Sequence, residues 1–348
     1  VGQDSAQSEF LTAFGSDRLH HGWLLTGPRG VGKATLAWAM ARFLLATPLV
    51  DANDMFGVPP APTSLRIDPD HPVARRMAAG SEPGLFVLRR PYDEKTKKLR
   101  QQITVDEVRR LKSFFSMSAT DGGRRVVIVD AADELNTSAA NALLKLLEEP
   151  PARTTLLLVS HQPTRLLPTI RSRCREVRLG PLSAPDMAVA LAQAGADANA
   201  SPQALAQLSG GSVGEAIRLL NLGGVQIYTE LMALLDTLPR LDRPRALKLA
   251  EAAATRGADD KLDLLITLLD LALARLARTG VTGHPPPEAI ANEAAILSRL
   301  APSAQKGRAW ASAAQEIGAR LQHGRAVNLD PAALVLDTFF KIQHIAAG

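Results

Sequence analysis

Cysteine, aromatic side chains and long apolar runs are scarce in this sequence, and each shortage excludes a class of protein. Cys174 is the single cysteine among 348 residues, which excludes an internal disulfide and a zinc site built from several cysteines. Aromatic residues make up 4% of the chain. No apolar run reaches the roughly 18 residues that a membrane-spanning helix needs, and no secretory signal is visible. We therefore expect a cytoplasmic protein with no membrane partner and no zinc.

The residues that are present indicate a soluble, largely helical protein rich in alanine and leucine. Hydrophobic residues make up 46% of the chain and charged residues 22%. The formal net charge is +5, and residues 88–125 alone hold eleven Lys and Arg against five Asp and Glu. Such a basic stretch is typical of a surface that meets nucleic acid or a partner subunit, and it is equally compatible with a solvated basic face.

The stretch GPRGVGKAT at residues 27–35 nearly matches a phosphate-binding loop. The pattern G-x-x-x-x-G-K-[ST] is met at Gly27, Gly32 and Lys33 and fails at Ala34. A short apolar run precedes the glycines and an apolar-periodic helix follows them, which is the context that such a loop requires. Backbone N–H groups would then hold phosphate oxygens at a helix N-terminus, with Lys33 adding a positive charge. The alternative is a glycine-rich turn without a ligand.

Further apolar runs predict a parallel sheet and an α/β fold class. Strands are expected at residues 84–90, 126–129 and 154–160. Helices between them are expected to begin after Thr104 and after Asn136, both good N-cap residues. Asp130 stands at the carboxyl end of a strand, where phosphate-loop enzymes place an acid that holds Mg²⁺. Strands that alternate with helices predict a parallel sheet covered on both faces, with its ligand at the carboxyl ends of the strands.

Two other regions differ from this alternating pattern. Residues 46–82 are rich in proline and weakly periodic, and we expect a long loop or a small insertion there. From residue 181 onward the sequence carries helical patterns only, which predicts an all-helical region. These patterns are broken at 209–214, 221–224 and 280–287. The break near residues 222–226 is typical of a linker between domains.

Four motifs resemble the clamp-loader branch of the AAA+ ATPases in their order and spacing. They are VGQ at 1–3, the loop GPRGVGK, the run NALLKLLEEPP and SRC at 172–174. The resemblance covers roughly residues 1–220, and the stretch NLDPAALVLDTFF at 328–340 is similar to the family's oligomerising collar. The implied architecture is a P-loop α/β domain with a parallel sheet over 1–180, a small helical lid over 181–223 and an all-α collar over 224–348.

Within that family the chain is more similar to the delta-prime type of bacterial DNA polymerase III subunit than to the gamma/tau motor type. The motor type carries a hydroxyl residue, a glutamate and an arginine where this chain has Ala34, Ala131 and Gly214. Thr35 does not replace the missing hydroxyl, because one step along a helix turns a side chain by about 100°. The three losses predict that the chain does not hydrolyse ATP itself. One alternative is an active gamma/tau-type ATPase that tolerates Ala34, and another is an unrelated enzyme such as a nucleotide kinase.

The resemblance also implies which residues are functional. Arg173 in the SRC motif matches the family's arginine finger, which reaches the nucleotide of a neighbouring subunit; the alternative is an ordinary surface arginine. The remnant nucleotide site is expected to bind ATP or ADP weakly or not at all, and to hold no metal. It consists of Gly27, Pro28, Arg29, Gly30, Val31, Gly32, Lys33, Ala34, Thr35 and Asp130.

The implied partners follow from the same family. They are gamma/tau and delta clamp-loader subunits and, through the assembled complex, the sliding clamp and primed DNA of DNA replication. Many relatives carry a four-cysteine zinc module in the region of residues 46–82. This chain has no cysteine there, so the resemblance leaves the role of that region open.

Overall fold

The structure is a computed structural model whose residues form two compact units, Val1–Pro181 and Leu182–Gly348. It describes residues 1–16, 18–48, 62–117, 123–196, 200–253, 259–327 and 329–348. The expected boundary at residue 180 lies next to the boundary between the units. The further division of the helical region at residue 223 stays a prediction. Part of the expected insertion, residues 49–61, lies outside the described residues, as does Asn328 of the collar stretch.

The first unit contains a five-stranded parallel sheet and a small antiparallel hairpin. The strands in chain order are β1 (Gly22–Thr26), β2 (Leu85–Arg89), β3 (Tyr92–Asp93), β4 (Lys98–Leu99), β5 (Arg125–Asp130), β6 (Thr154–Ser160) and β7 (Arg175–Arg178). The parallel sheet has the order β2-β5-β6-β1-β7, and β3 pairs with β4. The predicted fold class is therefore confirmed: an α/β unit with a parallel sheet, followed in the chain by helices.

Helices cover both faces of the sheet, and α3 and α5 begin at a side-chain cap. They are α1 (Asp4–Gly15), α2 (Lys33–Ala46), α3 (Pro72–Ala78), α4 (Val105–Met117), α5 (Thr137–Glu148) and α6 (Pro168–Arg171). The Asn136 side chain accepts a hydrogen bond from the backbone N–H of Ala139 at 2.8 Å, which caps α5. This helix ends at Glu148, before the two prolines that cannot continue it. Helix α3 lies in the region where only a loop or insertion was expected.

The centre of the sheet is buried on both faces because each central strand carries a run of apolar residues. All five residues of β1 and all seven of β6 are buried. Leu24 pairs with Leu158 across the two strands, and Leu158 pairs with Val129 of β5 on its other side. Each such side chain contributes about 1.5–3 kcal/mol when it is removed from water. These central strands therefore form a rigid platform for the residues at the two edges of the sheet.

The parallel register places functional positions at opposite edges of the sheet. Thr26 pairs with Ser160 and Asp130 pairs with Val159, so the carboxyl ends of β1, β5 and β6 lie side by side. At the other edge, Trp23 near the start of β1 pairs with Arg175 at the start of β7. We call these the carboxyl edge and the amino edge.

The described residues of the second unit form helices joined by turns and loops, with no strand among them. Its helices are α7 (Ala184–Gln193), α8 (Pro202–Leu208), α9 (Val213–Leu222), α10 (Gly224–Asp236), α11 (Arg243–Ala253), α12 (Asp259–Thr282), α13 (Glu293–Leu300), α14 (Ala304–Ala326) and α15 (Pro331–Ala347). Helix α12 packs closely on α14, where a Cβ on Gly280 would lie 2.6 Å from the Cα of Gly307.

A buried ion pair crosses the core of this second unit. The guanidinium of Arg275 donates to Glu293 at 2.6 and 2.9 Å, and the Tyr228 hydroxyl donates to the same carboxylate at 2.6 Å. Because the buried carboxylate is fully hydrogen-bonded, the cost of removing its charge from water is offset.

Among the described residues, none of the helices has both the length and the apolar composition that a membrane span requires.

Candidate functional site

The loop between β1 and α2 has the backbone of a phosphate-binding loop. Gly27, Gly30 and Gly32 have φ angles of 140°, 75° and 95°, which residues with a Cβ rarely adopt. A Cβ on Gly27 would also lie 2.2 Å from the carbonyl oxygen of Leu179. Since α2 begins at Lys33, the N–H groups of the loop lie at the N-terminus of this helix, which is the positive end of its dipole. This backbone fits a phosphate group.

Lys33 directs its ammonium at its own loop. The side chain is buried, and Nζ donates to the carbonyl oxygen of Gly27 at 2.7 Å and to that of Pro28. Burial lowers the pKa of Lys33 to about 8, although the carboxylates of Asp133 and Asp130 oppose the shift. The positive charge of Lys33 is therefore partly used to satisfy backbone carbonyls.

The side chains around the loop do not fit a magnesium ion. The side chain of Ala34 carries no oxygen, and Thr35 is exposed one step further along α2. Asp130 ends β5 as predicted, but the next residue, Ala131, is 2% exposed and offers only a methyl group. No group of three or more potential metal ligands occurs in the part of the chain that the structure describes. We therefore derive no metal-dependent step for this site.

A carboxylate that the motif did not identify as functional lies at the mouth of the loop. Glu134 contacts Arg29 of the loop at 3.6 Å and Arg90, just after β2, at 2.8 Å. Its side chain is 17% exposed. The sequence motifs do not identify Glu134, because a contact between residues 44 positions apart, such as that with Arg90, has no sequence signature. Glu134 neutralises two cations that would otherwise face a phosphate.

These residues line a cavity of about 790 Å³ at the carboxyl edge. His161, which follows β6, lies in its wall, and its backbone N–H donates to Asp133 at 2.8 Å. Burial and the charge of Lys33 lower the pKa of His161, which keeps its ring neutral at neutral pH. The polar and aromatic residues of the wall include Arg29, Arg89, Arg90, Arg110, Tyr92 and Glu107. The lining holds four arginines and three carboxylates, and two of these carboxylates, Glu107 and Glu134, pair with arginines.

Arg173 lies at the amino edge, in the turn between α6 and β7. Its Nη2 contacts Glu148 Oε1 at 3.0 Å and its Nη1 donates to the carbonyl oxygen of Thr169 at 3.1 Å. The side chain is 37% exposed. The neighbouring Cys174 is half-buried, and burial raises the pKa of its thiol to about 12, so that it packs as an apolar group.

The structure does not bring Arg173 to the phosphate loop of its own chain. A Cβ on Gly22, the first residue of β1, would lie 3.2 Å from the carbonyl oxygen of Arg173. The loop begins beyond the other end of this five-residue strand, which is about 16 Å away at the usual rise of a strand. The predicted loop residues and Asp130 lie together at one edge, and Arg173 lies at the other.

Gly214, the third predicted departure, belongs to the second unit. It is exposed in the first turn of α9, which the Ser212 hydroxyl caps by accepting a hydrogen bond from the Glu215 N–H at 3.2 Å. The start of α9 therefore presents no side chain at position 214.

Comparison with known proteins identifies the family. Residues 2–183, just over half of the chain, match the family model described as DNA polymerase III, delta subunit. A DNA polymerase III subunit delta' from Pseudomonas aeruginosa is 43% identical over 44% of this chain and 41% of its own length. The one from Escherichia coli is 30% identical over 97% of this chain and 92% of its own length. The match therefore spans less than half of the first relative and nearly all of the second.

Gamma/tau subunits are also similar to the chain, over a smaller part of it. A gamma/tau subunit from Mycobacterium tuberculosis is 31% identical over 50% of this chain and 26% of its own length. Among solved structures, a gamma-subunit-related protein of DNA polymerase III from Thermotoga maritima is 17% identical and covers 97% of this chain and 99% of its own, with a TM-score of 0.43. Because the family model matches more than half of the chain and the Escherichia coli relative matches nearly all of it, the chain belongs to the clamp-loader subunits of DNA polymerase III, in the family of delta'.

Proposed function

We propose that this clamp-loader subunit does not hydrolyse ATP and instead provides Arg173 to the nucleotide of a neighbouring ATPase subunit. The observation that carries the proposal is the position of Arg173, partly exposed at the amino edge of the sheet, whereas its own phosphate loop is at the carboxyl edge. Roughly 16 Å of strand keeps Arg173 from stabilising charge on a nucleotide in its own chain. A partly exposed guanidinium remains available to another chain.

The chemistry of arginine supports this role. A guanidinium is planar and permanently charged, and its N–H groups match the oxygens of a phosphoryl group in a forked arrangement. Charge spreads over these oxygens as the phosphoryl group transfers, so a cation placed there stabilises the transition state. An arginine supplied by a second protein increases the rate by about 10³–10⁵ in the GTPases where it has been measured.

The state of the chain's own loop supports the absence of hydrolysis. Ala34 and Ala131 leave the loop without a hydroxyl ligand and without a carboxylate that could polarise water. Lys33 donates to loop carbonyls and Glu134 pairs with Arg29. We infer that ATP or ADP binds this site weakly or not at all, and that the chain uses neither magnesium nor zinc.

The proposed partners are those of an assembled clamp loader. The chain would join gamma/tau and delta subunits through its helical second unit, in the cytoplasm. Opening the sliding clamp and placing it on primed DNA would be properties of the whole complex. The competing function is that of a gamma/tau-type ATPase, which the similarity to gamma/tau subunits favours.

The deciding experiment compares the chain alone with the assembled complex. We expect negligible ATP turnover by the isolated chain. In the complex with clamp and primed DNA, Arg173→Ala should slow hydrolysis at the neighbouring site by about 10³-fold, so that total turnover falls by the share of that site. Lys33→Ala in the same chain is the matched control and should leave turnover nearly unchanged. Turnover by the isolated chain that Lys33→Ala abolishes would establish the competing function instead.

A further inference from the structure

The guanidinium of Arg173 is held by two oxygen atoms of its own unit. Glu148, the last residue of α5, contacts Nη2 at 3.0 Å, and the carbonyl oxygen of Thr169 in α6 accepts from Nη1 at 3.1 Å. Arginine has five N–H donors, so these two contacts fix the direction of the fork and leave other donors for a phosphate. The contact with Glu148 is therefore compatible with the proposed function of Arg173.

The backbone around this contact is tightly packed, which gives Glu148 a defined position. The carboxyl end of α5, the turn of residues 172–174 and the start of β1 meet at Gly22. A Cβ there would lie 2.9 Å from Leu147 Cδ2 and 3.3 Å from the sulfur of Cys174. In addition, the ring Nε2 of His21 hydrogen-bonds the carbonyl oxygen of Leu147 at 2.9 Å. Glu148 follows directly after that anchored residue.

The exposure of the pair determines what Glu148 can do. The side chain of Glu148 is 43% exposed and that of Arg173 is 37% exposed. Ion pairs in such positions add little to the stability of a protein. The pair can, however, restrict the rotamers of a long side chain, and a well-oriented catalytic group loses less entropy when the reaction begins.

We propose that Glu148 is a positioning residue, which orients Arg173 toward the nucleotide of the neighbouring subunit. This inference rests on the proposed function of Arg173 as an arginine finger. Glu148 itself does not touch the nucleotide. Its carboxylate holds the guanidinium of Arg173 in the orientation that faces away from its own chain. The turn at residues 172–174 fixes the backbone from which that side chain extends.

The test measures ATP turnover by the assembled complex with clamp and primed DNA. Glu148→Ala should lower kcat at the served site about tenfold and leave KM for ATP unchanged, because the arginine acts in the transition state. Glu148→Gln keeps one oxygen acceptor and should recover part of the loss. Glu149→Ala, at the exposed next position, is the matched control and should behave like wild type. The melting temperature of each isolated chain should stay within error of wild type.

A double variant separates positioning from an independent effect. Glu148→Ala should cause no further loss in a chain that already carries Arg173→Ala, because there is then no side chain to position. An additional loss in that background would overturn the inference, as would a Glu148→Ala chain with wild-type or higher turnover. If Arg173→Ala alone has no effect, the proposed function itself fails and Glu148 has nothing to position. If Arg173→Ala is inactive and Glu148→Ala is not impaired, only the positioning role fails.

Discussion

The lysine at the carboxyl edge of the parallel sheet and the arginine at its amino edge hold their positive charges in opposite ways. At the carboxyl edge, Lys33 is buried and donates to loop carbonyls, although Arg29 nearby stays exposed. At the amino edge, Arg173 has one carboxylate partner and keeps 37% of its side chain exposed. The charge of Lys33 is turned inward, and the charge of Arg173 is offered outward.

The difference follows from the topology of a parallel sheet. Every strand runs in the same direction, so the loops that can hold a nucleotide gather at one edge and the turns that lead into strands gather at the other. β1 connects the two edges with its five buried residues. This topology is compatible with the proposed function, in which Arg173 serves the nucleotide of another chain and the chain's own loop does not hydrolyse ATP.

The strongest test of this difference between the two edges replaces Arg173 by a different cation. Arg173→Lys keeps the positive charge and loses the planar fork, so we expect hydrolysis at the served site to fall about 10²-fold. ATP turnover of the assembled complex measures the change. Lys33→Arg, the reciprocal exchange at the carboxyl edge, should alter turnover less than twofold. Equal losses from both exchanges would mean that the two edges do not differ as described.

A smaller effect is expected from displacing the backbone of Arg173 while its side chain is left unchanged. Gly22→Ala adds a Cβ 3.2 Å from the carbonyl oxygen of Arg173 and 2.9 Å from Leu147, which displaces the turn by a few tenths of an ångström. Turnover by the complex should fall about tenfold, with a melting temperature lowered by less than about 5 °C. Gly180→Ala is the matched control, since a Cβ there meets no atom within 4 Å. An unimpaired Gly22→Ala complex would show that the packing at Gly22 does not position Arg173.

The predicted parts of the fold are those with a strong local signal. β5 and β6 are continuous apolar runs, and α5 has a capping asparagine and a proline stop, so each could be located from the sequence alone. β7, by contrast, was not predicted: Val177 is its single buried residue, and pairing with β1 defines the strand. Helix α3 was also missed, because its seven residues are too few for a periodic pattern.

The candidate site also has a part that the sequence identifies and a part that only the structure shows. The phosphate loop is contiguous in sequence, so its glycines and Lys33 could be identified by spacing. The contacts of Glu134 with Arg29 and Arg90 join three separate segments, and only the folded chain brings them together. The distance between Arg173 and the loop likewise depends on the direction of β1 in the sheet. The roles of these residues stay predictions that the variants test.

A more modest prediction tests whether the carboxyl edge is neutralised from within. Glu134→Gln removes the negative charge that pairs with Arg29 and Arg90, and we expect the isolated chain to bind magnesium-free ADP about fivefold more tightly. Isothermal titration calorimetry measures the affinity. Glu107→Gln is the matched control, because Glu107 lines the same cavity and pairs with Arg110 at 2.9 Å. The same gain in both variants would indicate a general effect of net charge.

The smallest expected effect concerns the protonation of Lys33. Burial lowers its pKa to about 8, so the ammonium is charged at pH 7 and largely neutral at pH 9. Because a charged donor binds phosphate more strongly than a neutral one, the affinity of the Glu134→Gln chain for ADP should fall about threefold over this range. A bound phosphate favours the charged lysine and moves the fall to somewhat higher pH. Adding Lys33→Met should remove the pH dependence; if it persists, another group at this edge is titrating, and Lys33 does not face the anion.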